Sequence, residues 1–277
     1  MTEIKKANVP ASAAKQTTAT APKKTMKDYI EVMKPEFAKA LPEGFSPERF
    51  TRMAITAVNK NPALAQCSMS SFFGALMNAA QAGLEPNSPL GEAYLIPFRN
   101  KGQMEVQYVV GYQGRLKWAF NDHLTVTART VYENDEFSYE YGMNETLVHK
   151  PALSNRGKPI AYYATWRSKD YDTESFTVMS KEDIDAYARK YSKAYSSASS
   201  PWNTAYEQMA LKTVLIQALK YAPKSMQTRR FEANDETIKN EISSDMSEVD
   251  SEINYSDFID ADVIDSETGE VTNAKAE

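Results

Sequence analysis

Cations and flat side chains recur together between residues 98 and 118 of the 277-residue chain. This stretch contains Phe98, Arg99, Lys101, Tyr112, Gln113, Arg115, Lys117 and Trp118. Cationic side chains bind backbone phosphates, and aromatic rings stack on the bases of single-stranded nucleic acid. The pattern therefore predicts a nucleic-acid interface. A solvated turn beside a core aromatic residue explains residues 98–101 equally well.

Two further basic groups lie closer to the end of the chain. At about 100° per residue, one group shares a helical arc of roughly 140°; it consists of Lys212, Thr213, Gln217, Lys220 and, if the helical turn persists that far, Lys224. Tyrosines alternate with the other group, which consists of Arg189, Lys190 and Lys193. The arc predicts a phosphate-binding groove, and the second group suits a clamp on a flexible backbone. Lysines that snorkel to solvent, and a polar loop edge, are the alternatives.

Several kinds of catalytic site have no counterpart in the sequence. The chain lacks G-x-x-x-x-G-K-[ST], H-E-x-x-H, G-x-S-x-G and C-x-x-C, so we expect no ATP, no cofactor, no bound metal and no catalytic residues. Cys67 is the single cysteine; its apolar surroundings predict a core residue, and its isolation fits a reducing cytoplasm. Asp135 and Glu136 leave a metal-dependent nuclease open as an alternative, with turn punctuation as the plain interpretation.

An acidic segment conceals a basic body. The chain has a net charge of −5, yet residues 232–277 contain fifteen acidic and two basic residues. The preceding 231 residues therefore carry a net charge of +8. Charge asymmetry of this kind is typical of proteins that bind nucleic acid.

Helical and strand patterns follow one another in separate blocks. Residues 1–25 lack periodicity and are predicted to be disordered. Helices are predicted from about residue 26 to 41, after the N-cap Ser46 to about residue 59, from Ser68 or Ser70 to Gly83, over 115–120, over 181–189 behind a capping box at Ser180, and from Pro201 to Pro223. A hairpin is predicted over 91–110, with its turn at 99–102 and edge character at Pro97. Further strands are predicted over 124–132, 137–141, 160–167 and 175–178.

This order predicts an α+β fold, with a small antiparallel sheet and a protruding β-hairpin packed with helices, and with disordered termini. We expect three parts: a disordered N-terminal tail (1–25), a DNA-binding and annealing core (26–231) and an acidic disordered C-terminal tail (232–277).

Ordered motifs from residue 68 to residue 225 resemble the RecT family of phage and prophage recombination proteins. They are SMSSFFGALMNAAQAGLEPN, LGEAYLIPFRN, VQYVVGYQGRLKWA, TARTVYENDEFSYEYG, LVHKP, YYATW and PWNTAYEQMALKTVLIQALKYAPKS. The resemblance implies ATP-independent annealing of single strands, homo-oligomeric rings or helical filaments on DNA, a core related in shape to Rad52-like proteins, and a partner exonuclease. It places Arg115, Lys117, Lys212 and Lys220 inside the annealing core.

The resulting hypothesis is a single-strand annealing protein in homologous recombination that holds single-stranded DNA and the annealed duplex through phosphates. The hairpin tip near Phe98 would wedge stacked bases, and helices before residue 83 would supply subunit contacts. A nuclease and a passive protector of single strands remain the alternatives. The acidic tail is a solubilising segment, a hook for the exonuclease or a host single-strand-binding protein, or a competitor for the groove. No membrane partner is expected.

Overall fold

The computed structural model describes residues 25–196, 200–239, 241–243, 246, 249, 251–252, 263–264 and 271–272. Its helices are α1 (Met26–Val32), α2 (Lys34–Ala40), α3 (Pro47–Lys60), α4 (Met69–Gln81), α5 (Tyr112–Asn121), α6 (Lys181–Tyr191), α7 (Pro201–Thr204), α8 (Tyr206–Leu219) and α9 (Met226–Ala233). Its strands are β1 (Ala93–Asn100), β2 (Gln103–Val110), β3 (Leu124–Tyr132), β4 (Glu136–Glu140), β5 (Thr146–Lys150), β6 (Pro159–Ser168), β7 (Thr173–Ser180), β8 (Ile238–Lys239), β9 (Ser251–Glu252), β10 (Val263–Ile264) and β11 (Val271–Thr272). Short 3-10 helices span Pro62–Gln66 and Lys193–Ser196. The α+β prediction is confirmed.

The first half of the chain forms one hydrophobic core, in which α1–α4 pack against the β1–β2 hairpin. Ile30, Phe37, Phe50 and Leu76 are fully buried in it. Burial of an aliphatic or aromatic side chain of this size contributes about 1.5–3 kcal/mol. The core-facing residues of the hairpin, which include Leu95, Val106 and Tyr108, therefore pack with these helices, and we call this unit the N-terminal lobe (residues 26–118).

A second core joins an antiparallel sheet, in the order β3-β6-β7, to α6 and α8. Side chains of β6 alternate between the two faces of this sheet. Tyr162, Ala164 and Trp166 belong to the core with α8, whereas Tyr163 stacks at 5.7 Å on Phe137 of the β4–β5 hairpin. The hairpin therefore covers the face of the sheet opposite the helices. We call this unit the C-terminal lobe (residues 119–222).

Local signals in the sequence mark most element boundaries correctly. Ser46 accepts a hydrogen bond from the backbone N–H of Arg49 at the start of α3, and Ser68, rather than Ser70, caps α4. Ser180 and Asp183 form the predicted capping box of α6. The β1–β2 turn contains Lys101 and Gly102, both with positive φ (46° and 88°), as a tight two-residue hairpin requires.

Several elements differ from the prediction. The helix expected from about residue 26 to 41 is divided into α1 and α2 at Met33. The single helix expected after Pro201 is broken at Ala205, whose φ of −141° and ψ of 50° are not helical, and it ends at Leu219. Strand β5 was not predicted, because its five residues gain a partner only by pairing with β4. Helix α9 was also missed, although Ser225 caps it. The predicted tail boundary at residue 232 falls inside α9, so residues 232–239 belong to the folded part of the chain.

Burial confirms the interpretation of Cys67 as a core residue. Its thiol is free and buried, and burial raises its pKa to about 12. Residues 1–24 of the predicted N-terminal tail lie outside the described residues. No helix in the described ranges is both long and apolar enough to cross a membrane.

Candidate nucleic-acid interface

Two glycines bring the start of α5 against the backbone that leads into β1. A Cβ on Gly111 would lie 2.0 Å from the carbonyl oxygen of Gly91, and one on Gly114 would lie 2.3 Å from that of Glu92. Only a residue without a side chain permits this approach. The α5 residues Tyr112 and Gln113 are thereby placed beside the loop before β1.

A cleft of about 170 Å³ opens between this junction and α8. Its lining residues are Pro89, Leu90, Gly91, Tyr112, Gln113, Gln208, Met209 and Lys212. The first five residues belong to the N-terminal lobe and the last three to α8 of the C-terminal lobe. We call this space the interlobe cleft. It combines an aromatic ring, two amides and a cation, which are groups able to contact bases and phosphates.

Lys212 is the cation of the interlobe cleft. Burial lowers the pKa of its ammonium group, while the charges of Asp235 and Glu236 partly offset that effect. Among the described residues, no hydrogen bond or ion pair satisfies the ammonium group. A desolvated cation without a partner gains more from an anionic ligand than an exposed lysine does.

Three other predicted DNA-binding cations are engaged in ion pairs within the chain. Arg115 pairs with Asp235 and, at 3.4 Å, with Glu232. Lys224 contacts the same Glu232 at 2.7 Å, and Lys117 contacts Glu92 at 2.9 Å. Because α8 ends at Leu219, Lys224 lies beyond the helix and does not share its arc as predicted. Its Nζ instead lies beside α9.

The hairpin tip carries charge but no exposed ring. Arg99 and Lys101 are exposed, whereas the side chain of Phe98 is buried and only 7% exposed. The prediction of Phe98 as a ring presented at the tip is therefore wrong for this conformation. Successive side chains of a strand point to opposite faces, and Phe98 shares the buried face of β1 with Asn100, whereas Arg99 between them is exposed.

The remaining predicted cations lie on the C-terminal lobe. Lys220 is exposed at the end of α8. Arg189 lies 5.9 Å from the centre of the Tyr195 ring, and Lys190 lies 5.1 Å from that of Tyr191, so the predicted alternation brings cations and tyrosines together. Lys193 begins the 3-10 helix Lys193–Ser196; its side chain lies outside the described part of the structure.

Comparison with known proteins identifies the family. The sequence profile of the RecT family matches residues 48–250. The chain belongs to the RecT family. Protein RecT of Escherichia coli strain K12 is 41% identical to it over 211 residues, which cover 74% of this chain and 77% of the E. coli protein. Membership of the RecT family supports a function in recombination and single-strand annealing.

The RecT match begins in α3 and covers the rest of the N-terminal lobe, the C-terminal lobe and the residues that line the interlobe cleft. Among the polar residues of the candidate interface, sequence reasoning missed Gln208 in the cleft and the carboxylates of Glu232 and Asp235 beside Arg115. Gln208 lies one helical turn before Lys212, so its spacing could have revealed it. The two acidic residues gave no such signal, since they had been assigned to the tail and lie 117 and 120 residues from Arg115.

The acidic pair behind the nuclease alternative has structural partners. Asp135 accepts hydrogen bonds from Arg156 Nε at 3.0 Å, from His149 Nε2 at 3.0 Å and from the backbone N–H of Ala152 at 2.9 Å. Glu136 contacts Lys150 across the β4–β5 pair at 2.7 Å. Within the described ranges, no three His, Cys, Asp or Glu residues are arranged to hold a metal ion. Asp135 therefore connects the β3–β4 turn to the end of β5 and to the loop between β5 and β6.

The hydrogen bonds of Asp135 predict how the stability of the protein depends on pH. The hydrogen bond from Arg156 holds the pKa of Asp135 well below its usual value of 3.8. The stabilisation of the folded state by ionised Asp135 is therefore complete above about pH 5, and it is lost as the pH falls through 4 and below. In thermal unfolding, we expect Asp135→Asn to lower the midpoint at pH 7, and this gap to narrow towards pH 3. A gap that stays constant down to pH 3 would contradict the assignment.

Proposed function

We propose that this RecT-family chain anneals complementary DNA strands without a nucleotide cofactor and without breaking a covalent bond. The observation that carries the proposal is Lys212, which lines the interlobe cleft beside Tyr112, Gln113 and Gln208 and has no hydrogen-bond or ion-pair partner among the residues that the structure describes. A phosphate at Lys212 would supply the missing counter-charge. The ring and the amides would meet the adjoining sugar or base.

Annealing of arbitrary complementary strands requires contacts that do not depend on sequence. Phosphate contacts meet this requirement, and each one releases counterions, so binding should weaken steeply with salt. Besides the cleft, the proposed contacts are Arg99 and Lys101 at the hairpin tip, Lys220, and the group Arg189, Lys190 and Lys193. Arg115, Lys117 and Lys224 join this surface when their carboxylate partners are exchanged for phosphates.

We further propose that copies of the chain assemble on DNA and so extend the cleft over many nucleotides. Both the single strand and the newly annealed duplex would be held in this assembly, which would act in the cytoplasm on strands supplied by an exonuclease. The tail beyond residue 252 lies mostly outside the described residues; a contact with the exonuclease or a single-strand-binding protein is proposed for it from its alternation of acidic and apolar residues.

Two labelled complementary strands test this proposal directly. With protein, Mg²⁺ and no ATP, we expect the strands to stay intact and to pair faster than they do without protein. This acceleration by the protein should decrease as the salt concentration is raised. Strand shortening would mean a nuclease. Binding without faster pairing would mean a passive protector, and the annealing proposal would then fail. Strands of unrelated sequence are the control, because they should bind equally well and yield no duplex.

A further inference from the structure

Residues 232–237 form a short acidic segment that crosses from α9 to the edge of β2 that does not pair with β1. It presents Glu232, Asp235 and Glu236, and we call it the acidic strap. Its backbone is tied to the hairpin at two points: Thr237 accepts from the N–H of Tyr108 at 3.1 Å, and Glu236 accepts from Gln107 Nε2 at 2.8 Å. The carboxylates of the acidic strap are thereby fixed beside the cations of α5 and the α8–α9 loop.

The contacts of the acidic strap are those expected of a phosphate backbone. Glu232 places both of its oxygens within 2.8 Å of Lys224 Nζ and one within 3.4 Å of Arg115. Asp235 contacts the other guanidinium terminus of Arg115 and accepts from the N–H of Val110 at 2.7 Å. Arginine and lysine bind carboxylate and phosphate oxygens in the same geometry.

The surroundings of Asp235 disfavour the charged form of its carboxyl group. Its side chain is only 7% exposed, and burial raises its pKa to about 6 despite the neighbouring Arg115. Arg115 also retains a buried Nε–H without an acceptor among the described residues. The ion pair thus satisfies neither partner fully, and an anion with more oxygens could replace the carboxylate.

From these contacts we propose that the acidic strap is an internal competitor of DNA. It occupies two phosphate-binding positions, at Arg115 and Lys224, until a DNA strand displaces it. This inference rests on the proposed function, since it assumes a DNA strand in the adjoining cleft. Without DNA, the strap neutralises buried cations and keeps them from other anions. With DNA, each exchange of a carboxylate for a phosphate adds a contact to those already made in the cleft.

The test compares the full chain with its Glu232→Gln variant, which has the same shape without the charge. In fluorescence anisotropy with labelled oligothymidylate, we expect about fivefold tighter binding at low salt. The plot of log affinity against log salt should steepen by about 0.7 for each cation that becomes available. Glu36→Gln is the matched control, because it removes the same charge from an exposed pair with Lys39 on α2; its affinity should stay near that of the parent.

A second variant separates competition from a purely structural role. Lys224→Gln should weaken the binding of the parent only slightly, because it removes a phosphate contact but also the ion pair with Glu232 that DNA must break. In the Glu232→Gln background it should cancel the part of the gain that depends on Lys224. Unchanged affinity and salt slope in Glu232→Gln, with or without a lower unfolding temperature, would overturn the inference. If the parent itself fails to bind the oligonucleotide, the proposed function fails instead, so the two outcomes are distinguishable.

Discussion

A chain carrying Lys212→Glu and Lys220→Glu is expected to bind single-stranded DNA about 100-fold more weakly than the parent, on the order of 3 kcal/mol. The double change removes the cation of the interlobe cleft and the exposed cation at the end of α8. It also adds two negative charges that repel the backbone. Annealing should fail with binding, because strands that are not held cannot be brought together.

The control for this variant is Lys60→Glu with Lys169→Glu, which changes the net charge equally at exposed positions at the end of α3 and in the β6–β7 turn. Anisotropy should show near-parental affinity for the control. Circular dichroism and thermal unfolding must show that both proteins are folded. Because Lys212 is half-buried, Lys212→Gln serves as a milder variant, and its salt slope should decrease by about 0.7. Parental affinity in the double variant would remove Lys212 and Lys220 from the interface.

Gly114→Ala is expected to lower the free energy of unfolding by about 3 kcal/mol, the upper end of the range for overpacked sites. The new methyl group would lie 2.3 Å from the carbonyl oxygen of Glu92, 2.9 Å from Leu84 Cδ1 and 3.1 Å from Val110 Cγ1. A side chain could move aside, but the Glu92 carbonyl belongs to the backbone leading into β1. Alanine gains at most about 1 kcal/mol in helix propensity over glycine, which is too little to compensate.

Urea unfolding measures this effect, with Gln113→Ala as the control on the same turn of α5. The Gln113 side chain is exposed, so its removal should leave the unfolding midpoint near that of the parent. We also expect Gly114→Ala to weaken DNA binding while the protein is still folded, because α5 must shift away from the loop that lines the cleft. Equal midpoints for the two variants would show that the junction is more compliant than its geometry indicates.

Sequence signals that act over a few residues predicted the fold well. N-caps at Ser46 and Ser180, alternation along β3 and the turn at Lys101 each reflect chemistry within one or two turns of chain. The failures arose where tertiary contacts decide. Phe98 is buried on a face of the hairpin that only the folded chain covers, and α7 separates from α8 at Ala205, a residue with high helix propensity that gave no warning of a break.

The candidate site shows the same division. The cations were found from composition and helical spacing, and Lys212 indeed lies in the cleft. Their partners were not found, because Arg115 meets Glu232 and Asp235 only after the chain has folded. A count of charges assigned those two acidic residues to a detachable tail. Their contacts with Arg115 instead make Glu232 and Asp235 part of the folded core, where they neutralise some of the positive charge that the count had left in excess.

The buried thiol of Cys67 makes the hairpin's attachment to the helices observable. Cys67 Sγ lies 3.4 Å from the carbonyl oxygen of Ala63 and 3.5 Å from that of Glu105 on β2, so it sits where the hairpin meets the 3-10 helix Pro62–Gln66. A thiol with a pKa of about 12 is almost entirely protonated at neutral pH, and an alkylating reagent reaches it only when these segments part. As Cys67 is the single cysteine of the chain, its alkylation rate reports how often the N-terminal lobe opens.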